Sequence, residues 1–126
     1  MKGIDSNVLI RLLVGDDPDQ AKRARDYIAM NAPCWINRIA LCEAVWVLER
    51  LYGHSRPKIA SALRQVMAAR QFVIEDKDAV QTGIDALERG FDFADCVIAA
   101  TNQRAGCETT ATFDRKAARL DGFEAL

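Results

Sequence analysis

"PCWINRIALCEAVWVLERLYG", Pro33 to Gly53, decides the fold. "PCWI" is a short apolar run with a β-branched end, the pattern of a strand. Asn37 follows as a helix cap, and the next residues repeat their apolar positions at helical spacing as far as Gly53, which stops the helix. One carboxylate, Glu43, stands inside this helix. The residues three and four positions away, Ile39, Ala40, Trp46 and Val47, lie on its face, and none is a cation. A buried, unpaired carboxylate costs several kcal/mol, so on this reading Glu43 is expected to serve chemistry rather than packing.

The same alternation extends outward in both directions. "KGID" is a strand candidate ending at Asp5, and "SNVLIRLL" a short helix. "DDPDQAKRARDYIAMN" opens with an Asp cap and Pro18 in its first turn, and carries a narrow apolar face of Ala21, Ala24 and Ile28. A helix after Ser55 sets Ile59, Leu63, Val66 and Met67 on one side. "QFVIE" is a third strand. Lys77 to Arg89 is helical, with Val80, Ile84 and Leu87 in register. "DFADCVIAATNQRAG" is a helix ended by Gly106, "ETTATF" a fourth strand, "DRKAARL" a short helix and "FEAL" a last strand. Strands separated by helices predict βαβ units: an α/β domain with a parallel sheet of four to five strands and helices on both faces. In such sheets sites form beyond the carboxyl ends of the strands.

The chain of 126 residues is expected to form one domain, and its 50% hydrophobic content supports a real core. No run of 18 apolar residues is present, which excludes a membrane-spanning segment of that kind. The start has no signal-peptide pattern. The four cysteines, Cys34, Cys42, Cys96 and Cys107, form no CxxC and fit neither a zinc site nor a disulfide framework. Buried, reduced thiols in the cytoplasm are expected. A net charge of −1 does not announce a nucleic-acid partner through bulk charge. Arginines outnumber lysines 12 to 5. "KRAR", Lys22 to Arg25, is read most simply as a solvated helix face, with an acidic partner or RNA as the alternative.

Four acids are expected to meet. Asp5 follows the first strand and Asp114 the fourth. Asp95 lies in the first turn of the helix before the fourth strand, and Glu43 on the helix after the second. Asp5 and Asp114 could be plain helix caps, and Asp92 with Asp95 an imperfect capping box. Caps do not explain Glu43. A divalent cation such as Mg²⁺ or Mn²⁺, which takes carboxylate oxygens and water, explains all four together. The matching chemistry is hydrolysis of a phosphodiester. The single histidine, His54, is expected to be an exposed loop residue, which disfavours a Ser-His-Asp triad. No phosphate-cradling glycine motif is present.

At these residues the chain resembles PIN-domain proteins, and among them the VapC-type toxins of bacterial toxin–antitoxin pairs. The matching segments are "IDSNVLIRLLVGDDPDQA", "CEAVWVLERLYG", "DFADCVIAA" and "TFDRKAARL", in family order and across essentially the whole chain, 1–126. The resemblance implies a metal-dependent ribonuclease with a Rossmann-like parallel sheet. It places Asp5, Glu43, Asp95 and Asp114 around Mg²⁺ or Mn²⁺, with Ser6, Asn7 and Thr112 as polar neighbours and Asp92 in support. It also implies an RNA substrate, a homodimer and a cognate antitoxin encoded nearby. "INRI" departs from the small hydroxyl residue common before the Glu helix, and Arg38 is read as a rim residue in preference to a phosphate contact. Cys42 and Cys96 should face the core, as should Trp46. The alternative is a non-catalytic Mg²⁺-binding receiver module, whose phosphoacceptor would be Asp76. It lacks the acidic pair such modules need after the first strand, since Ser6 and Asn7 follow Asp5.

Overall fold

The computed structural model describes residues 1–126, which divide into two compact units, Met1–Lys77 and Asp78–Leu126. The first unit runs β1 (Lys2–Gly3), α1 (Ser6–Val14), α2 (Pro18–Asn31), β2 (Cys34–Ile36), α3 (Arg38–Arg50), α4 (Arg56–Ala68) and β3 (Phe72–Ile74). Its three strands form one sheet in the order β1-β2-β3, all parallel, with Gly3 opposite Trp35 and Ile36 opposite Ile74. Because all three run the same way, Asp5, Asn37 and Glu75 leave the sheet at one edge. Two helices of this unit start at that edge.

The start signals act as read. Asp5 caps α1 by accepting from the Val8 N–H, Asp17 caps α2 with Pro18 at the start, and Asn37 caps α3 through the Ala40 N–H. Each satisfies an N–H that has no partner within its helix. α1 stops at Gly15, whose φ of 69° is the left-handed geometry glycine adopts without strain. Leu9, Ile28, Ile36, Leu41, Leu48, Ile59 and Leu63 are fully buried, so the apolar stripes of α1 to α4 and the middle strand supply the core residues of this unit. Met67 is only half-buried at the margin of the α4 stripe.

The second unit comprises α5 (Lys77–Glu88, of which Lys77 belongs to the first unit), α6 (Phe93–Arg104), β4 (Thr110–Thr112) and β5 (Phe123–Ala125). β4 and β5 pair in parallel, with Thr110 opposite Phe123. The expected helix at "DRKAARL" is a single 3-10 turn, Ala117–Arg119. Gly83 on α5 lies against Phe93, which is completely buried: a Cβ at Gly83 would sit 2.7 Å from the ring. That close approach brings α5 onto the start of α6. Phe91, Cys96 and Leu120 pack in one cluster with Ala86.

The α/β class with parallel strands is therefore as expected, although the strands pair as a group of three and a group of two. All four cysteines are unpaired thiols. No helix is long and apolar enough to cross a membrane.

Candidate active site

Glu43 is not the buried carboxylate that its apolar neighbours suggested. It is exposed, and so are Ile39 at 72% and Trp46 at 57% on the same helix face. The core stripe of α3 is instead Ala40, Leu41, Ala44, Val45 and Leu48. The run looked uniformly apolar because α3 is apolar on both faces. One face covers the core, and the other presents Ile39, Glu43 and Trp46 to solvent. Trp46 is thus not core packing. Cys96 is buried as expected, and Cys42 only partly so.

What holds Glu43 is Ser6. The Ser6 hydroxyl donates to Glu43 Oε2 at 2.8 Å, joining the first residue of α1 to the middle of α3. Ser6 itself is buried, so its hydroxyl has few other places to turn. This bond ties Glu43 to the residue that follows Asp5, where the chain leaves the carboxyl edge of the sheet. Asp5 Oδ1 accepts from the Val8 N–H at 3.0 Å, which fixes that carboxylate while leaving Oδ2 without a hydrogen bond. Glu43 Oε1 is likewise left over. Asn7 is exposed beside them.

In the second unit Asp92 caps α6, its Oδ2 accepting from the Asp95 N–H at 3.0 Å. The expected pairing of Asp92 with Asp95 is therefore formed through the Asp95 backbone. Asp114 Oδ1 accepts from the N–H groups of Lys116 and Ala117 at 2.8 and 3.0 Å, and Oδ2 is left over. Thr112 Oγ1 accepts from the Asp114 N–H at 3.0 Å, holding the turn that leads out of β4. Lys116 donates to the Gly90 carbonyl and lies 5.5 Å over the Phe91 ring, so it is engaged in packing.

The cap readings of Asp5 and Asp92 thus hold, whereas Asp114 holds a turn before a 3-10 segment headed by Lys116 and is not a helix cap. A cap uses one carboxylate oxygen, and the second lone-pair set points elsewhere. Asp5, Glu43 and Asp114 each have one carboxylate oxygen that accepts no hydrogen bond. The donor chemistry, carboxylate oxygen throughout, suits Mg²⁺ or Mn²⁺. No three His, Cys, Asp or Glu side chains are grouped closely enough to enclose an ion by themselves.

Arg38 is neither a free rim residue nor a phosphate contact. Its backbone N–H and Nε both donate to Glu75 Oε1, at 2.9 and 3.0 Å, and its Nη1 lies 3.6 Å from Asp76 Oδ2. This fastens the start of α3 to the end of β3. The Arg38 amide, and then its guanidinium, hold the Glu75 carboxyl below its ordinary value. The Asp76 side chain is only 8% accessible and its backbone has φ 52°, so the receiver alternative loses its phosphoacceptor to an ion pair. Glu75 did not stand out in the sequence, and Asp76 did so only as the receiver's phosphoacceptor, not as a partner of Arg38. The available signal was two acids directly after a strand, at the edge where Asp5 also emerges. His54 is half-buried rather than exposed, with its ring 6.0 Å from that of Tyr52.

An α/β unit that brings carboxylates and capped helix starts to the carboxyl edge of a parallel sheet places them where ligand sites form in such folds. Over residues 3–123 the chain matches the PIN domain, and it belongs to that family. PIN domains are generally metal-dependent nucleases, acting on nucleic acid. No curated protein gives a significant match to the chain.

Proposed function

We propose that this PIN domain is a Mg²⁺- or Mn²⁺-dependent ribonuclease and the toxic component of a VapC-type toxin–antitoxin pair, acting in the cytoplasm. The resemblance assigns the ion to Asp5, Glu43, Asp95 and Asp114, within a single domain of residues 1–126. Ser6, Asn7, Asp92 and Thr112 support them. The observation that carries this reading is the Ser6–Glu43 bond, which gives a mid-helix acid with no cap to make a fixed place beside the Asp5 cap. The family match supports the joint role of the two units, because it runs through both. When bound, the ion lowers the pKa of its water and neutralises charge building on the phosphate oxygens.

The chain's own contribution is positional. Hydrogen bonds from backbone N–H groups immobilise Asp5 and Asp114 before any ligand arrives, so little side-chain entropy is lost on binding. Ser6 fixes the Glu43 rotamer. The reading also includes a homodimer and a cognate antitoxin that silences the enzyme. Both follow from the resemblance in the four motif segments.

The test is cleavage of labelled single-stranded RNA by the purified chain with Mn²⁺ and with EDTA. Asp5→Asn and Glu43→Gln from one unit, and Asp95→Asn and Asp114→Asn from the other, should each abolish cutting while melting cooperatively. Ser6→Ala should lose about 10–100-fold, the usual cost of removing a group that orients a ligand. Full activity of Asp114→Asn would detach the second unit from the site. In cells, induction should arrest growth and co-expression of the neighbouring antitoxin gene should restore it.

A further inference from the structure

A cleft of about 440 Å³ opens beside Asp5, between α1 and α2. Asp5, Asn7 and Arg11 line one wall, and Gln20, Arg23 and Tyr27 the other. The α2 residues recur at helical spacing, so they form one stripe along the helix. The volume falls within the range of sites that hold a single small ligand or one residue of a polymer.

The two arginines differ in kind. Arg11 is spent: its Nε donates to Gln20 Oε1 at 2.6 Å, and its Nη1 to Asp16 Oδ1 at 2.9 Å and to Tyr52 Oη at 3.3 Å. Tyr52 also donates to Asp16, which keeps that carboxyl below its ordinary value. Together these residues make a rigid end wall of little net charge. Arg23 is exposed, with no hydrogen bond and no ion pair. Its neighbour Lys22, by contrast, is paired with Asp26. One turn further along, Tyr27 is 42% exposed although aromatic. Val8 and Ala24 add apolar lining, and the small Ala24 leaves room between the helices.

The cleft therefore offers one uncommitted cation, one uncovered aromatic ring about 6 Å further along the helix, and Asp5 at its mouth. A ligand that satisfies all three carries an anion, a flat ring and a reactive group directed at the acid edge. We propose that this cleft binds the nucleotide flanking the scissile phosphodiester of a single-stranded nucleic acid, with its phosphate on Arg23 and its base on Tyr27. The assignment rests on the nuclease reading for the position of the scissile bond. Stacking requires a base free of its own neighbours, which favours a single strand over a duplex. Arg23 and Tyr27 are positioning residues in this proposal, since they touch substrate away from the reacting atoms.

The experiment is binding rather than cleavage. A fluorescein-labelled single-stranded RNA octamer is titrated with the full chain in EDTA, and anisotropy is followed over a range of salt. Tyr27→Ala should weaken binding about 5- to 150-fold, the range for loss of one base–aromatic stack. Tyr27→Phe, which keeps the ring, should bind within about twofold of wild type. Arg23→Ala should flatten the plot of log Kd against log salt by about 0.7, the contribution of one phosphate contact on a single strand, and Arg23→Lys should restore it. Lys22→Ala, one residue away, should do much less. Unchanged binding by Tyr27→Ala and Arg23→Ala, or no binding by wild type, overturns the proposal. So does adenosine monophosphate competing as well as the octamer, since that marks a mononucleotide site. RNA that is bound through Tyr27 but never cut with Mn²⁺ leaves the cleft standing and removes the nuclease reading instead.

Discussion

Replacing Glu43 with glutamine separates two roles that the apolar setting of this residue had merged. The side chain is exposed, so no desolvated charge is relieved by the change. Its one intramolecular partner is the Ser6 hydroxyl, 2.8 Å from Oε2. Glutamine can still accept through its amide oxygen, at the cost of the charge assistance, which is about half the strength of such a bond. Without metal the net change should stay within about 0.5 kcal/mol, as for most exposed substitutions. For a domain of this size 1 kcal/mol moves Tm by roughly 3–5 °C. The variant in EDTA should therefore melt within about 2 °C of wild type.

With Mn²⁺ the two proteins should part. At a hundredfold excess over Kd, bound ion stabilises wild type by RT ln(1 + [L]/Kd), about 2.7 kcal/mol or roughly 10 °C. If loss of the carboxylate weakens the site about 10- to 100-fold, the ratio falls to about 10 or 1. The gain then drops to about 1.4 or 0.4 kcal/mol. Four melting curves, two proteins in EDTA or Mn²⁺, measure this. Equal gains in Mn²⁺ would falsify a ligand role for Glu43. A large loss in EDTA would show that Glu43 carries fold stability beyond its bond to Ser6.

Three further outcomes test the surrounding structure. Arg38→Ala should lose about 1–3 kcal/mol at pH 7, a value discounted because the Arg38 side chain is 28% exposed. Glu75 has a depressed folded pKa, so its stabilisation is present above its ordinary value of 4.5 and lost as pH falls through the folded one; denaturant melts should show the gap between the two proteins closing below about pH 4.5. Gly83→Ala should lower Tm by several degrees despite the better helix propensity, because a Cβ there meets the fully buried Phe93 ring at 2.7 Å; an unchanged or higher Tm would mean that α5 and α6 have room to adjust. Iodoacetamide followed by peptide mass spectrometry should find the exposed Cys107 modified first and the buried Cys34 and Cys96 last; at Cys96 burial, with Asp95 and Asp92 adding to it, also pushes the thiol up to about 11.

How far the chain could be read in advance depended on whether a feature is local. Asp5, Asp17, Asn37, Ser55 and Asp92 all cap the helices they precede, because a cap is a contact within three residues and its chemistry is written in the residue itself. Strand positions were legible for the same reason. What failed involved partners distant in sequence. Arg38 seemed idle because its acids, Glu75 and Asp76, lie on the far side of α4 in the chain. Trp46 seemed a core residue because an apolar helix does not say which of its two faces meets the sheet. The segment expected to be a helix at "DRKAARL" is only a 3-10 turn at Ala117–Arg119, and the sequence carries no signal that marks the difference.

Glu43 gathers these strands. Its apolar neighbours suggested burial, and burial suggested that only a cation could explain a charge there. The exposure of Glu43 removes that argument, yet the position is no less specified. A solvated glutamate in the middle of a helix ordinarily loses rotamer freedom only if something holds it. Here the buried Ser6 holds it, at the edge where Asp5 is already fixed as a cap. Ser6 gains no helix stability from this bond, since the cap of α1 is Asp5. A hydroxyl at the first position of a helix, turned away from the backbone toward an acid 37 residues along the chain, is better accounted for by the acid's task than by the helix's. Alanine at position 6 distinguishes the two: a packing role predicts a lower Tm with activity retained, and an orienting role predicts lost activity, with weaker Mn²⁺ stabilisation, in a protein that melts nearly as wild type.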